Sequence, residues 1–299
     1  GLRHDPPEEE VKGQQTAKRA LEIAAAGRHH VLLIGPPGVG KTLLARTSAA
    51  LLPPMTKKEA IEVTAVYSAA GMANTALKQH RPVRMPHHSA TRTAVLGGGT
   101  RPRPGEISLA HRGLLVLDEL PEFSSDVLQA LREPLDQKRI HISRAGYSVT
   151  FPADCWIIAT ANPCPCGYFG SSIKECHCTS AELSRYQRKL RGPLLDRFDI
   201  FCQLDEVKCA ELQHKEEIPW YAKKAPINGR AAARALPIDM AAKKILQAAQ
   251  ERLKLSVRSY NKTIKVARTI AYLDNTEHVQ AQHVAEALQF RYQRLPSLN

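Results

Sequence analysis

A chain of 299 residues is long enough to bury a core, and by size it holds one large domain plus a smaller one. Its 42 Lys and Arg against 29 Asp and Glu leave a formal charge of +13, which favours a polyanionic partner such as nucleic acid or an acidic membrane face. No run of about 18 apolar residues is available to span a bilayer, and the start, GLRHDPPEEE, has neither the basic nor the apolar region of a signal peptide; a soluble, cytoplasmic chain is expected, and its opening on Gly1 rather than Met reads as a piece of something longer.

The first 200 or so residues alternate short apolar strands with helical stretches, the pattern of an α/β P-loop core with a parallel sheet between helices. A helical stretch over Glu10–Ala26 leads to Val31–Ile34, a continuous apolar run as in a strand buried on both faces. Directly after it stands GPPGVGKT: Gly35, Pro36, Pro37, Gly38, Val39, Gly40, Lys41 and Thr42. Glycine is needed there because its backbone freedom aims successive amides at phosphate oxygens. The following helix, Lys41–Leu52, offers its positive end, Lys41 reaches the outer phosphates, and the Thr42 hydroxyl ligates Mg²⁺. ATP with Mg²⁺ is the expected cofactor; a glycine-rich turn without a ligand is the plain alternative.

From Val63 to Gly105 there is no acidic residue, whereas Lys78, Arg81, Arg84, Arg92, Arg101 and Arg103 are basic and His80, His87 and His88 accompany them. Gly97, Gly98 and Gly99 allow this cationic insertion to bring backbone close to a phosphate chain. The strand Leu114–Leu117 then ends in Asp118, expected to hold Mg²⁺ through water, and Glu119, expected to polarise the attacking water as general base. Taken alone, an Asp-Glu pair after a strand is as readily a helix start. A helix over Asp126–Leu135 sets Val127, Leu128, Leu131 and Leu135 on one side. Gln137–Thr150 is again free of acids: Ile140 and Ile142 alternate with Arg139, His141 and Ser143, and Ala145-Gly146 supplies a turn, so a β-hairpin is expected. Lys138, Arg139, His141 and Arg144 on its protruding loop, with Arg92 and Arg101 of the first insertion, are the candidate DNA contacts. Few aromatics accompany them, which points to gripping the backbone rather than reading bases; a solvated basic hairpin is the alternative.

A third strand, Trp156–Thr160, leads to Asn162, either a side chain that senses the γ-phosphate and the attacking water or a turn former before proline. Two residues on, Cys164 and Cys166, then Cys176 and Cys178, form two pairs separated by nine residues, a spacing that brings four thiolates around one tetrahedral Zn²⁺. Each pair is one residue apart rather than the commoner two to four, so buried reduced thiols and an iron–sulfur cluster stay open. Seven cysteines, an odd number, fit a reducing compartment better than a disulfide framework. GPLLDRFDI places Arg197 beside Asp196 where the core ends: a surface ion pair, or a finger that enters a neighbouring subunit's site. The core is expected to close by residue 219, with an unpatterned connector over Trp220–Leu236 and a small all-α lid to residue 299, its stripes Ile245, Leu246, Ala249 and Leu253, then Ile264, Ala267, Ile270 and Ala271, then Val284 to Leu288. Arg258, opening its helix, is the candidate second sensor over the γ-phosphate, with Arg268 its competitor.

The ordered strings KGQQTAKRALEIAAAG, LIGPPGVGKT, MPHHSAT, LGGG, PGEISLAHRGLLVLDELPEF, ISRA, ANPCPCGYFG and GPLLDRFDI resemble the ComM/YifB family, the Mg-chelatase-like AAA+ ATPases. The likeness is dense from Val11 to Leu204 and looser in the tail; Lys208–Ala235 follows no family motif, and SVRS stands where the family more often has a small residue after Ser. The resemblance implies a hexameric AAA+ ring that translocates on DNA as a branch-migration helicase in homologous recombination and natural transformation, alongside recombination proteins and with no membrane partner. It also implies that Glu119, Asn162 and Arg197 are base, sensor and finger, and that a Lon-protease-like domain usually precedes the motor. The PHH and ISLAH strings are similar to magnesium-chelatase subunits as well, so a chelatase-type motor driving a partner protein is the competing expectation.

Overall fold

The computed structural model describes residues 11–72, 76–144, 146–190, 194–206, 220–222 and 235–291, with residues 144 and 147 described by backbone alone. Helix α1 (Gln15–Gly27) begins later than its apolar period suggests, because Gly13 and Gln14 take left-handed backbone angles, φ 70° and 57°, that no helix continues. After β1 (Val31–Ile34), α2 (Lys41–Thr47) also stops short of the expected Leu52: the Thr47 and Ser48 hydroxyls donate to the carbonyls of Leu43 and Leu44, and Ser48–Leu51 tightens into a 3₁₀ turn. Helix α3 (Lys57–Ala69) is started by a capping box between Thr56 and Glu59. Small elements follow: β2 (Val83–Arg84), α4 (Arg92–Leu96), β3 (Gly97–Gly98), β4 (Arg103–Pro104) and α5 (Glu106–Leu109), then the buried strand β5 (Leu114–Leu117).

The helix expected over Asp126–Leu135 is two short ones, α6 (Ser125–Ala130) and α7 (Arg132–Gln137). Pro134 has no N–H to offer the Ala130 carbonyl, so the ladder breaks there, yet Val127 and Leu131 stay buried on the predicted side. The hairpin forms as β6 (Arg139–Arg144) and β7 (Tyr147–Pro152), in the register Ile140 opposite Phe151 and Ile142 opposite Val149. Strand β8 (Trp156–Ala161), helix α8 (Ser180–Leu190) and strand β9 (Ile200–Gln203) complete the core, and α9 (Met240–Leu253), α10 (Val257–Leu273) and α11 (Ala281–Gln289) form the helical tail.

Five strands pair, all in parallel, in the order β2-β5-β8-β1-β9. Alternate side chains of a strand leave opposite faces. Val31, Leu33, Val116 and Ile158 therefore enter one core with α1 and the tail helices, while Leu32, Ile34, Leu115, Leu117 and Ile157 enter another with α6 and α8. This double burial is why the three strands read as unbroken apolar runs. Trp220, the first residue of the expected connector, is buried in the first of these cores; 207–219 and 223–234 lie outside the described residues.

Helix α10 docks on the core through charge as well as apolar surface. His29 places its two ring nitrogens against Asp199 Oδ2 at 3.2 Å and Thr269 Oγ1 at 2.7 Å. Lys262 stands 3.7 Å from Asp199 Oδ1 and donates to the Phe198 carbonyl, and Arg291 donates to the Asp199 carbonyl. Burial alone would raise the Asp199 carboxyl; the His29 hydrogen bond and the charges of His29 and Lys262 instead hold it well below the usual range. No helix among the described residues is long and apolar enough to cross a membrane.

Candidate active site

The carboxyl-terminal ends of β1, β5 and β8 converge, and the loop after β1 is drawn to β8 by the Gly35 amide, which donates to the Ala161 carbonyl at 3.1 Å. Gly38 and Gly40 take φ of 82° and 89°, and a Cβ on Gly35 would stand 2.7 Å from the Leu204 carbonyl oxygen. Glycine is thus required by turn geometry at Gly38 and Gly40 and by crowding at Gly35. Lys41 Nζ is buried beneath it, donating to the carbonyls of Gly35 (2.6 Å) and Pro36 (2.7 Å) and to Asn162 Oδ1 (3.1 Å). Burial holds the Lys41 amine down to about 8 against the opposing pull of Asp118 and Glu119.

Thr42 and Asp118 meet as expected, Thr42 Oγ1 donating to Asp118 Oδ1 at 2.9 Å. The oxygen pair, set at the mouth of the loop, is the donor chemistry a hard divalent cation such as Mg²⁺ takes. Thr160 was not foreseen: its hydroxyl donates to the same Asp118 oxygen at 2.5 Å and accepts the Glu119 amide at 3.0 Å, fixing both acids from the neighbouring strand. Glu119 itself has φ 54°, an uncommon backbone for a non-glycine residue, and its carboxylate is exposed toward His88, whose Nδ1 lies 3.4 Å from Oε2. The PHH string drew attention to His88 but carried no role; only folding sets it against Glu119. Tyr186 of α8 donates to the Asn162 carbonyl at 2.9 Å, so Asn162 is held from behind while its side chain accepts from Lys41.

The two candidate arginines lie elsewhere. Arg197 makes a two-pronged contact with Asp136 at the end of α7, 3.1 and 2.5 Å, and is mostly covered. Arg258 donates to Asp196 Oδ2 at 2.5 Å, both side chains being exposed. Arg197 stands just before β9, and Arg258 is brought beside it through Asp196, at the amino-terminal edge of the sheet, opposite the phosphate loop. The expected reach of Arg258 over this chain's own γ-phosphate is therefore corrected, because α10 docks against the amino ends of β1 and β9. Its competitor Arg268 is tied to the Leu236 carbonyl at 3.1 Å.

The basic insertion also needs correction. Its lack of acids does not leave it uncompensated: Arg84 forks onto Glu106 at 2.6 and 2.7 Å, Arg81 meets Glu59 at 3.1 Å, and Arg92 meets Asp126 at 3.3 Å. Carboxylates from flanking helices supply what the segment lacks. Arg101 is exposed on the β3–β4 turn, and that small hairpin abuts the larger one, since a Cβ on Gly97 would meet Ile142 Cδ1 at 3.2 Å. In the larger hairpin Arg139 and His141 are exposed, His141 contacting Thr150 Oγ1 at 3.0 Å. Lys138 is not on a protruding loop: it caps α7 with φ 58° at the hairpin's foot and pairs with Asp154 at 3.3 Å. The side chain of Arg144 lies outside what is described.

The four cysteines converge. Their Sγ atoms all lie within 4.8 Å of one another, with Cys164 to Cys166 at 3.4 Å, Cys164 to Cys176 at 3.8 Å and Cys166 to Cys176 at 3.5 Å. A tetrahedron with Zn–S of about 2.3 Å has edges of about 3.8 Å, so the quartet fits one ion. Amides point at the sulfurs as they do toward thiolates: Gly167 and Phe169 donate to Cys164 Sγ, and Cys166 donates to Cys178 Sγ.

A glycine-rich loop ending in Lys41 and Thr42, an acid pair and the Asn162 amide on the carboxyl edge of a parallel sheet, joined to a helical tail, define the AAA+ motor class. Comparison narrows this. The family described as magnesium chelatase, subunit ChlI, matches residues 8–212, and its C-terminal counterpart matches residues 204–291. The protein named YifB from Salmonella typhimurium is 41% identical over 94% of this chain and 60% of its own length. Competence protein ComM from Haemophilus influenzae is 40% identical over 94% of this chain and 59% of its own. A more distant MCM-type protein from Methanocaldococcus jannaschii is 29% identical over 66% of the chain. The chain belongs to the Mg-chelatase-like AAA+ family of YifB and ComM, and spans about 60% of the length of such relatives.

Proposed function

We propose that this chain is the motor segment of an ATP-hydrolysing homo-hexameric ring that translocates on DNA and drives branch migration in homologous recombination, as in natural transformation. In this reading Thr42, and Asp118 through water, would hold Mg²⁺, which would supply positive charge against that developing on the transferred phosphoryl group. Lys41 binds the outer phosphates, Glu119 accepts a proton from the attacking water, and Asn162 orients that water. Arg197 and Arg258, on the edge facing away from this chain's own loop, serve a neighbour's site.

The observation that carries the DNA reading is the linkage between Arg197 and the basic hairpin. Asp136, which holds Arg197, sits at the end of α7, and α7 runs through Lys138 straight into β6 with its exposed Arg139. A change at Arg197 when a neighbour's nucleotide is hydrolysed thus has a one-helix path to the surface that grips phosphates. The relative named as a competence protein agrees with this reading. A second reading, a motor that drives a partner protein, is favoured by the ChlI description of the matching family. The test is the steady-state ATPase rate with single-stranded and forked DNA at low and moderate salt. Stimulation that weakens with salt supports the DNA motor; turnover indifferent to DNA moves the assignment to the partner-driving motor. The cysteine quartet is read as a structural Zn²⁺ site.

A further inference from the structure

The cysteine-rich segment begins two residues after Asn162, and it folds back onto the phosphate loop. Gly167, at φ 89°, lies so close to Pro37 that a Cβ there would stand 2.7 Å from both Pro37 Cδ and Cγ, and 3.8 Å from Asn162 Cγ. Its amide donates at 3.2 Å to Cys164 Sγ, which is fully buried. The middle of the segment is pinned as well, Ser171 Oγ donating to Glu206 at 2.5 Å just beyond β9. Between these anchors a cavity of about 260 Å³ is lined by Gly35 and Pro36 on one side and Phe169 and Ser171 on the other. A segment lacking regular secondary structure thus packs against the start of the phosphate loop, and within it the four cysteine sulfurs converge.

We propose that Zn²⁺ bound by Cys164, Cys166, Cys176 and Cys178 makes this segment a brace for the phosphate loop, so that metal occupancy sets nucleotide affinity. The proposal rests on the zinc reading of the quartet and on the nucleotide site, and is independent of DNA. Without the ion, the four thiols keep only weak hydrogen bonds, such as those from the Cys166, Gly167 and Phe169 amides, so Gly167 is freer to leave Pro37 and the loop and Asn162 lose lateral support. A closed four-ligand site has no open position, so the metal's part is structural.

The experiment uses the purified chain, its metal content measured directly, and a fluorescent ATP analogue with excess Mg²⁺ as the binding probe. A single zinc per chain is expected. Its extraction by a zinc-selective nitrogen chelator raises the analogue Kd by about tenfold or more, of the size seen when groups supporting a site are removed, and reloading with zinc restores it. Gly167→Ala, whose Cβ collides with Pro37, retains zinc but weakens the analogue to a similar extent. Absence of zinc, or iron in its place, overturns the zinc reading and the brace with it. Zinc present but an unchanged Kd after extraction leaves the metal site standing and overturns the brace, as does a zinc-loaded Gly167→Ala chain that binds normally. Should that variant fail to fold, extraction and reloading of the unmodified chain decide.

Discussion

The two edges of the same sheet are built in different ways. At the carboxyl edge, Lys41, Thr42, Asp118, Thr160 and Asn162 find their partners within a few ångströms of one another, at the ends of three adjacent strands. At the amino edge, Arg197 and Arg258 are each handed to a carboxylate, Asp136 and Asp196, and neither meets the phosphate loop. An exposed ion pair such as Arg258–Asp196 contributes at most about 1 kcal/mol, so Arg258 is poorly explained as a stabilising element and is cheaply released to another acceptor. The carboxyl edge gathers its side chains within one chain; in the proposed ring, the amino edge would meet a second chain's site.

That contrast is broken most sharply at Arg197. Arg197→Ala is expected to lower assembled ATP turnover by ~10³-fold or more while leaving analogue affinity unchanged, since a trans finger acts on transition-state charge. Mixing it with a Glu119→Gln chain should recover part of the turnover, because some interfaces then pair an intact site with an intact finger; no recovery would place Arg197 in its own chain's site. Glu119→Gln alone is expected to keep ATP binding and cost ~10²–10⁴ in turnover, measured as phosphate release against analogue binding. Undiminished turnover would remove Glu119 as the base.

The amino edge also carries the buried charges that seat the tail helices, and these give a stability prediction. Asp199→Asn leaves Lys262 beside a neutral partner and is expected to cost about 3 kcal/mol in thermal or denaturant unfolding. Because the folded-state pKa of Asp199 is depressed, its contribution is present above the unfolded value of 3.8 and is lost as pH falls below it. Wild-type stability should therefore drop on acidification below about pH 4, and the drop should be smaller in Asp199→Asn. The smallest expected effect is Arg139→Ala: a several-fold weaker DNA stimulation with the salt slope reduced by about 1, read from ATPase titrations at several salt concentrations. An unaltered slope would return the hairpin to an ordinary solvated surface.

What the sequence alone determined was everything set by local geometry or by strand burial. The glycine loop was legible because only glycine tolerates its backbone angles, and the three central strands because burial on both faces leaves them uniformly apolar. The hairpin was legible from its alternation, whereas its register came from the structure. The tertiary structure alone decided who pairs with whom. Thr160 carries no signal beyond ending a strand, and His88 becomes relevant only when the insertion lays it against Glu119. The acid-free insertion looked like an open cationic patch, yet Glu59, Glu106 and Asp126 arrive from flanking helices to neutralise three of its arginines. Arg258 was misplaced for the same reason: its helix was visible in the periodicity, but the edge on which that helix docks depends on α1, His29 and Asp199, more than fifty residues away along the chain. Periodicity records which face of an element is buried, whereas the partner across that face is chosen by long-range packing.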